Sequence, residues 1–173
     1  KTVDIKQRDW PNSSLKKCPI WCSVDLRDGN QALAEPMDSA RKMKFFKKLI
    51  EVGYKEIEVG FPSASDTDFN FIRELINDSH IPDDVTIQVL TQSREELIIK
   101  TIDSLKGSKN AIIHLYNSTS TLQRKVVFKE DMNGVKKIAT DGAKMISDNI
   151  GILNNTNVRL EYSPESFTGT ELP

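Results

Sequence analysis

The chain has 173 residues, 38% of them apolar, which suits one domain with its own core and excludes a disordered tail. Its 24 basic and 25 acidic residues nearly cancel, so bulk charge points neither to nucleic acid nor to a membrane as partner. No run approaches the ~18 consecutive apolar residues of a membrane span, and Lys1-Thr2-Val3-Asp4 lacks the apolar stretch of a secretory signal; the expectation is a cytoplasmic protein.

Residues 1–20, with Pro11, Asn12, Ser13, Ser14 and Pro19, read as an extended lead-in, and 21–173 as the folded portion. The chain starts without Met, which fits a processed terminus or a piece of a longer protein. Cys18 and Cys22 are too few and too local for a disulfide framework and are expected to be reduced thiols near a strand. Short runs rich in Ile, Val, Leu and aromatic residues at 21–26, 56–61, 86–91, 111–116 and 158–163 read as strands. Asp38 is placed to cap a helix with Ala40, Met43, Phe46 and Ile50 on its apolar stripe, and Gly53 stands where a C-terminal cap belongs. A second helix carries Phe69, Ile72, Leu75 and Ile76, and Pro82-Asp83-Asp84 makes the turn into the third strand. Helices at 95–105 and 132–150 follow, the latter striped by Val135, Ile138, Met145 and Ile146 and weakened by Gly134 and Gly142.

Each connection is long enough for a helical crossover, so the strands are expected to be parallel, with right-handed crossovers. Length favours a finished open α/β sheet, because a (β/α)8 TIM barrel takes about 250 residues. Strand chemistry favours the barrel. Arg159, Glu161, Ser163 and Glu165 share one parity, as do His114 with Tyr116 and Glu56 with Glu58, as if three strands faced a polar centre rather than two apolar layers.

No phosphate-binding glycine loop follows any strand. The first strand instead ends in Asp25-Leu26-Arg27-Asp28-Gly29-Asn30-Gln31, where α/β folds collect functional groups. Arg27 offers a planar cation for a carboxylate or an enolate oxygen, and Asp28 a hard oxygen for a divalent cation; an internal ion pair at a turn fits the same residues. The fourth strand ends in His114-Leu115-Tyr116-Asn117-Ser118-Thr119-Ser120 and the fifth in Ser163-Pro164-Glu165. Taken singly, His114 reads as a core histidine and Glu165 as a loop residue; together the three polar clusters mark one rim. His80 is expected at the surface of the opposite rim.

These segments carry a resemblance. Residues 8–11 (RDWP), 19–33 with DLRDGNQAL at 25–33, 56–65 (EIEVGFPSAS), 88–92 (QVLTQ), 114–120 (HLYNSTS) and 162–171 (YSPESFTGTE) are similar, in order, to the start of the 2-isopropylmalate synthases. The D-x-R-[DE]-G-x-Q core alone resembles the wider metallolyase group of homocitrate synthases, citramalate synthases and hydroxymethylglutaryl-CoA lyases. The resemblance implies the first five βα units of a (β/α)8 barrel that condenses acetyl-CoA with 3-methyl-2-oxobutanoate on the way to leucine. It implies a divalent metal (Mg, Mn or Zn), a monovalent cation as an activator, and a homodimer. By position, Arg27 and Glu165 are implied as catalytic, Asp28 as a metal ligand, and Gln31, His114, Tyr116, Asn117 and Ser163 as substrate-binding.

The family's other metal ligands, a His-x-His pair, have no counterpart among His80 and His114, and the sequence stops after the fifth strand. The 173 residues alone are therefore expected not to catalyse the condensation, and their uncovered flank is expected to make them associate. A sister synthase and a non-catalytic open-sheet binding module are the rival readings.

Overall fold

A computed structural model describes residues 10–171. Of the lead-in, residues 1–9 lie outside the described residues; 10–20 hold one 3-10 turn, Trp10–Asn12, and residues 11–20 are exposed. Five strands follow, β1 (Cys22–Ser23), β2 (Glu56–Gly60), β3 (Thr86–Gln92), β4 (Asn110–Ser118) and β5 (Asn157–Glu165). All pairings are parallel and the sheet order is β1-β2-β3-β4-β5, each strand beside its predecessor. A doubly wound sheet reverses direction at a switch point; this one does not, and it curls into a half-barrel.

The connections are α1 (Ser39–Val52), α2 (Asp66–Asn77), α3 (Glu95–Ser104), then a short α4 (Thr121–Gln123) running into a π-helical turn Arg124–Phe128, and α5 (Met132–Asn149). Asp38 caps α1 by accepting from the Arg41 N–H at 2.8 Å, and Gly53 ends it at φ 110°, a left-handed conformation that glycine adopts without a Cβ clash. Ser65 and Asp131 cap α2 and α5 in the same way.

Parity sorts the strand residues. Ile57 and Val59, Ile87 and Val89, and Ala111, Ile113 and Leu115 are fully buried and form one core with Phe46, Leu49, Phe71, Ile72, Leu75, Ile98, Ile102 and Ile146 of the helices. Each such side chain contributes roughly 1.5–3 kcal/mol of burial, so the outer face of the sheet holds the layers together. The alternate residues face inward and are largely polar. Near the bottom of the curl, Arg159 of β5 forms an ion pair with Glu56 of β2, three strands away.

Several expectations are corrected. The first strand is only Cys22–Ser23, because the N–H groups of Arg27, Asp28 and Gly29 all turn back to the Val24 carbonyl, at 3.2, 2.8 and 3.3 Å, in the π-helical turn Asp25–Gly29. Glu165 is the last residue of β5 rather than a loop residue. On α1, Ala40 is exposed and Lys42 is fully buried, its ammonium paired with Asp68 and lying 5.4 Å from the Phe71 ring centroid. α5 runs through both glycines, as the 132–150 helix reading expects; Gly142 is where Ser93 approaches, since a Cβ there would clash with the Ser93 Oγ, which donates to the Ile138 carbonyl at 2.6 Å. His80 lies partly exposed in the turn before β3, on the opposite rim as expected, its N–H bonded to the Leu75 carbonyl at 3.0 Å.

Candidate active site

The π-helical turn aims Arg27 and Asp28 at the mouth of the curl. Arg27 Nη1 donates to Asp28 Oδ1 at 2.9 Å, and its Nε donates to Glu58 on β2. Glu58 is fully buried and is the centre of the site. Besides Arg27, it accepts from Gln88 Nε2 at 2.6 Å and from His114 Nδ1 at 2.6 Å. Burial is the largest single influence and opposes its ionisation, but the bonds from His114 and Gln88 and the Arg27 charge together hold its carboxyl below the ordinary 4.5.

An ionised carboxylate only accepts, so Nδ1 of His114 carries the proton. Its Nε2 shares a hydrogen bond with the Ser163 hydroxyl, 2.7 Å away on β5. Glu161 lies 3.5 Å from the same Nε2. A continuous polar chain, Arg27–Glu58–His114–Ser163, thus crosses the interior from the β1 turn to β5.

Arg27, Asp28, Gln31, His114, Tyr116, Ser163 and Glu165 line one cavity of about 310 Å³ with Phe61 and Leu90. Tyr116 meets Phe61 edge-on, ring centroids 6.1 Å apart; burial, and then the Glu165 charge, push its phenol above the ordinary 10, so it stays protonated at neutral pH. Asn117 is elsewhere: it lies on the opposite face of β4, accepting from the Tyr162 hydroxyl at 2.9 Å. A larger cavity of about 770 Å³, lined by Asn30, Met37, Ser65 and Asp68 among others, shares Arg27, Gln31 and Phe61 with the first.

Glu58 and Gln88 are the members that sequence reading left out of the site. The shared parity of Glu56 and Glu58 was the available signal, but it does not say that a buried glutamate serves three donors. Among the described residues no three of His, Cys, Asp and Glu converge to hold a metal ion. Asp28, with 66% of its side chain exposed, offers one hard oxygen at the mouth, and this does not make a complete site for a divalent cation.

A clustered site at the C-terminal ends of curled parallel strands is where barrel enzymes keep their chemistry. Residues 18–173 match the family model described as HMGL-like. The chain belongs to the HMGL-like family. Within it, the chain is 61% identical over 171 residues to the 2-isopropylmalate synthase of Arthrobacter sp. (strain FB24), covering 99% of this chain and 30% of that protein. It is 62% identical over 171 residues to the synthase of Parafrankia sp. (strain EAN1pec), with 98% and 30% covered. It is 58% identical over 171 residues to that of Rhodospirillum rubrum, with 98% and 31% covered. This HMGL-like chain thus spans about 30% of the length of the curated relatives it matches. Among the described residues no helix is long and apolar enough to cross a membrane.

Proposed function

We propose that residues 21–173 are the N-terminal portion of the catalytic barrel of a 2-isopropylmalate synthase, a cytoplasmic, homodimeric enzyme that condenses acetyl-CoA with 3-methyl-2-oxobutanoate. The observation that carries this reading is identity near 60% along almost the whole chain to proteins of that name, with DLRDGNQAL intact at the site.

The two adjoining cavities suit two substrates. The small polar one suits the keto acid, against His114 and Ser163, with Leu90 and Tyr116 toward its side chain; the larger suits the acyl-CoA. Arg27, held by Glu58, is assigned to the charge that develops on the keto oxygen as the new C–C bond forms. Acid-base work falls to Glu165: a methyl proton leaves acetyl-CoA, the carbanion adds to the ketone carbon, and the alkoxide takes up a proton. Water then cleaves the thioester, releasing CoA thiol and a second carboxylate, which pulls the reaction forward. Asp28 is assigned as one ligand of a divalent ion whose other ligands come from outside these 173 residues.

The test is release of free CoA by the full-length protein, compared for 3-methyl-2-oxobutanoate, pyruvate and 2-oxoglutarate. Fastest turnover with 3-methyl-2-oxobutanoate is expected, falling at least about 100-fold in Arg27→Ala. Preference for pyruvate or 2-oxoglutarate would move the reading to a sister synthase, and absence of turnover with all three would overturn it. The 173-residue chain alone is expected to release no CoA.

A further inference from the structure

Glu165 is exposed at the end of β5, on the outermost of the five strands, where a long side chain has many rotamers open to it. Proton transfer needs the carboxylate within hydrogen-bond reach of one atom and in one orientation. Among the described residues Glu165 has no cationic partner, and its carboxylate receives a single hydrogen bond, from the hydroxyl of Ser118 to Oε2. Ser118 is itself a buried residue, only 6% exposed.

The register explains the contact. Ser118 is the last residue of β4 and Glu165 the last of β5, paired directly across the parallel ladder with both side chains on the inner face. The next residue, Thr119, takes hold of the main chain: its N–H donates to the Glu165 carbonyl at 3.1 Å and its hydroxyl to the same oxygen at 3.2 Å. Ser166 then bends the chain away at φ 57°, a left-handed conformation that is uncommon for a residue with a Cβ. Backbone and carboxylate of Glu165 are thus each held from the end of β4 and the residue after it, by two consecutive hydroxyl residues, and Glu165 lines the small cavity with His114, Tyr116 and Ser163.

We infer that Ser118 is a positioning residue, which holds the Glu165 carboxylate in the orientation used for proton transfer. This rests on Glu165 being the acid-base group of the proposed synthase. Ser118 itself does not line the cavity and has no direct part in binding.

The experiment compares the full-length enzyme with Ser118→Ala, Ser118→Thr, Glu165→Gln and the double variant Ser118→Ala/Glu165→Gln, measuring kcat, both KM values and the pH profile, with thermal melting alongside. Ser118→Ala is expected to lose about tenfold in kcat with KM within about twofold, and to move the acidic limb of kcat to higher pH, since the ionised carboxylate loses its donor. Ser118→Thr, which keeps a hydroxyl, is expected to recover most of the loss. The double variant is expected to be no slower than Glu165→Gln, because Ser118 acts only through the carboxylate. Should Ser118→Ala unfold, Ser118→Cys, which keeps the shape and weakens the donor, takes its place with the same expectations. An unchanged kcat in Ser118→Ala, or losses that multiply in the double variant, would overturn the inference while leaving the synthase reading intact. A wild type that releases no CoA would overturn both.

Discussion

Glu58 and His114 lie on strands that are not neighbours, β2 and β4, and yet share a 2.6 Å hydrogen bond. The curl brings them together past Gln88 of β3, which donates to the same carboxylate oxygen. One buried anion therefore sets the position of the Arg27 guanidinium at one end and the Nδ1 proton and orientation of the imidazole at the other.

Replacing Glu58 by Gln keeps the shape but leaves Arg27 without its buried counter-charge and puts an N–H₂ where a donor already points. A loss of about 3 kcal/mol in unfolding free energy is expected, together with a fall in kcat/KM of at least about tenfold. Urea denaturation and steady-state kinetics of the full-length variant read the two effects separately. A variant as stable and active as the parent would show that the three bonds to Glu58 are dispensable.

The same residue predicts a pH dependence. Its folded carboxyl sits below the ordinary 4.5, so the folded state binds the proton less readily than the unfolded chain. Its contribution is full above about pH 4.5 and is lost as pH falls through the folded value. Melting temperature is expected to drop steeply in that acidic window for the parent and less steeply for Glu58→Gln. Parallel curves would contradict this.

Cys22 is expected to be a thiol of little reactivity. Burial, and then the charges of Glu58, Glu56 and Glu161, push it up to about 12. At pH 8 only about one molecule in ten thousand carries the thiolate. Under native conditions iodoacetamide is expected to modify exposed Cys18 and to spare Cys22 until the protein is unfolded, as peptide mass spectrometry reports. Comparable labelling of the two would count against the packing around Cys22.

How much of this was legible in the sequence depends on the kind of interaction. The Asp38 and Gly53 caps act within a few residues of themselves, and so could be read directly. The polar parity of β2, β4 and β5 was also visible, and it pointed to a curled sheet against the preference from length. Strand reading of residues 24–26 failed because Val-Asp-Leu alternates like a strand while three N–H groups converge on the Val24 carbonyl. Buried Lys42 could not be anticipated, since its partner Asp68 lies on another helix. The outward turn of Asn117 to Tyr162 was implied by the parity that His114 and Tyr116 share, and was overridden by the resemblance that counted Asn117 with the substrate-binding residues.

That outward pair yields a contrast with the site. Tyr162→Phe removes the donor to the Asn117 carbonyl oxygen and is expected to cost about 1 kcal/mol in stability while leaving kcat and both KM values within about twofold. A large kinetic effect would place Asn117 among the substrate contacts.

Gly60 offers a steric test at the top of β2. A Cβ there would come within 2.8 Å of the Asp68 carboxyl carbon, and Asp68 cannot simply swing away: it accepts the Phe61 N–H at 2.8 Å and neutralises buried Lys42. Gly60→Ala is expected to destabilise by about 2 kcal/mol in denaturant titration. A neutral outcome would mean the α2 start shifts freely.

The Arg159–Glu56 pair spans the interior of the curl from β5 to β2. Both partners belong to the first five strands, so this contact across the curl is made entirely within the stretch. A chain synthesised from its N-terminus would have the means to bend as soon as β5 has emerged. The bent sheet would then carry its polar centre inside, with β5 as an open edge.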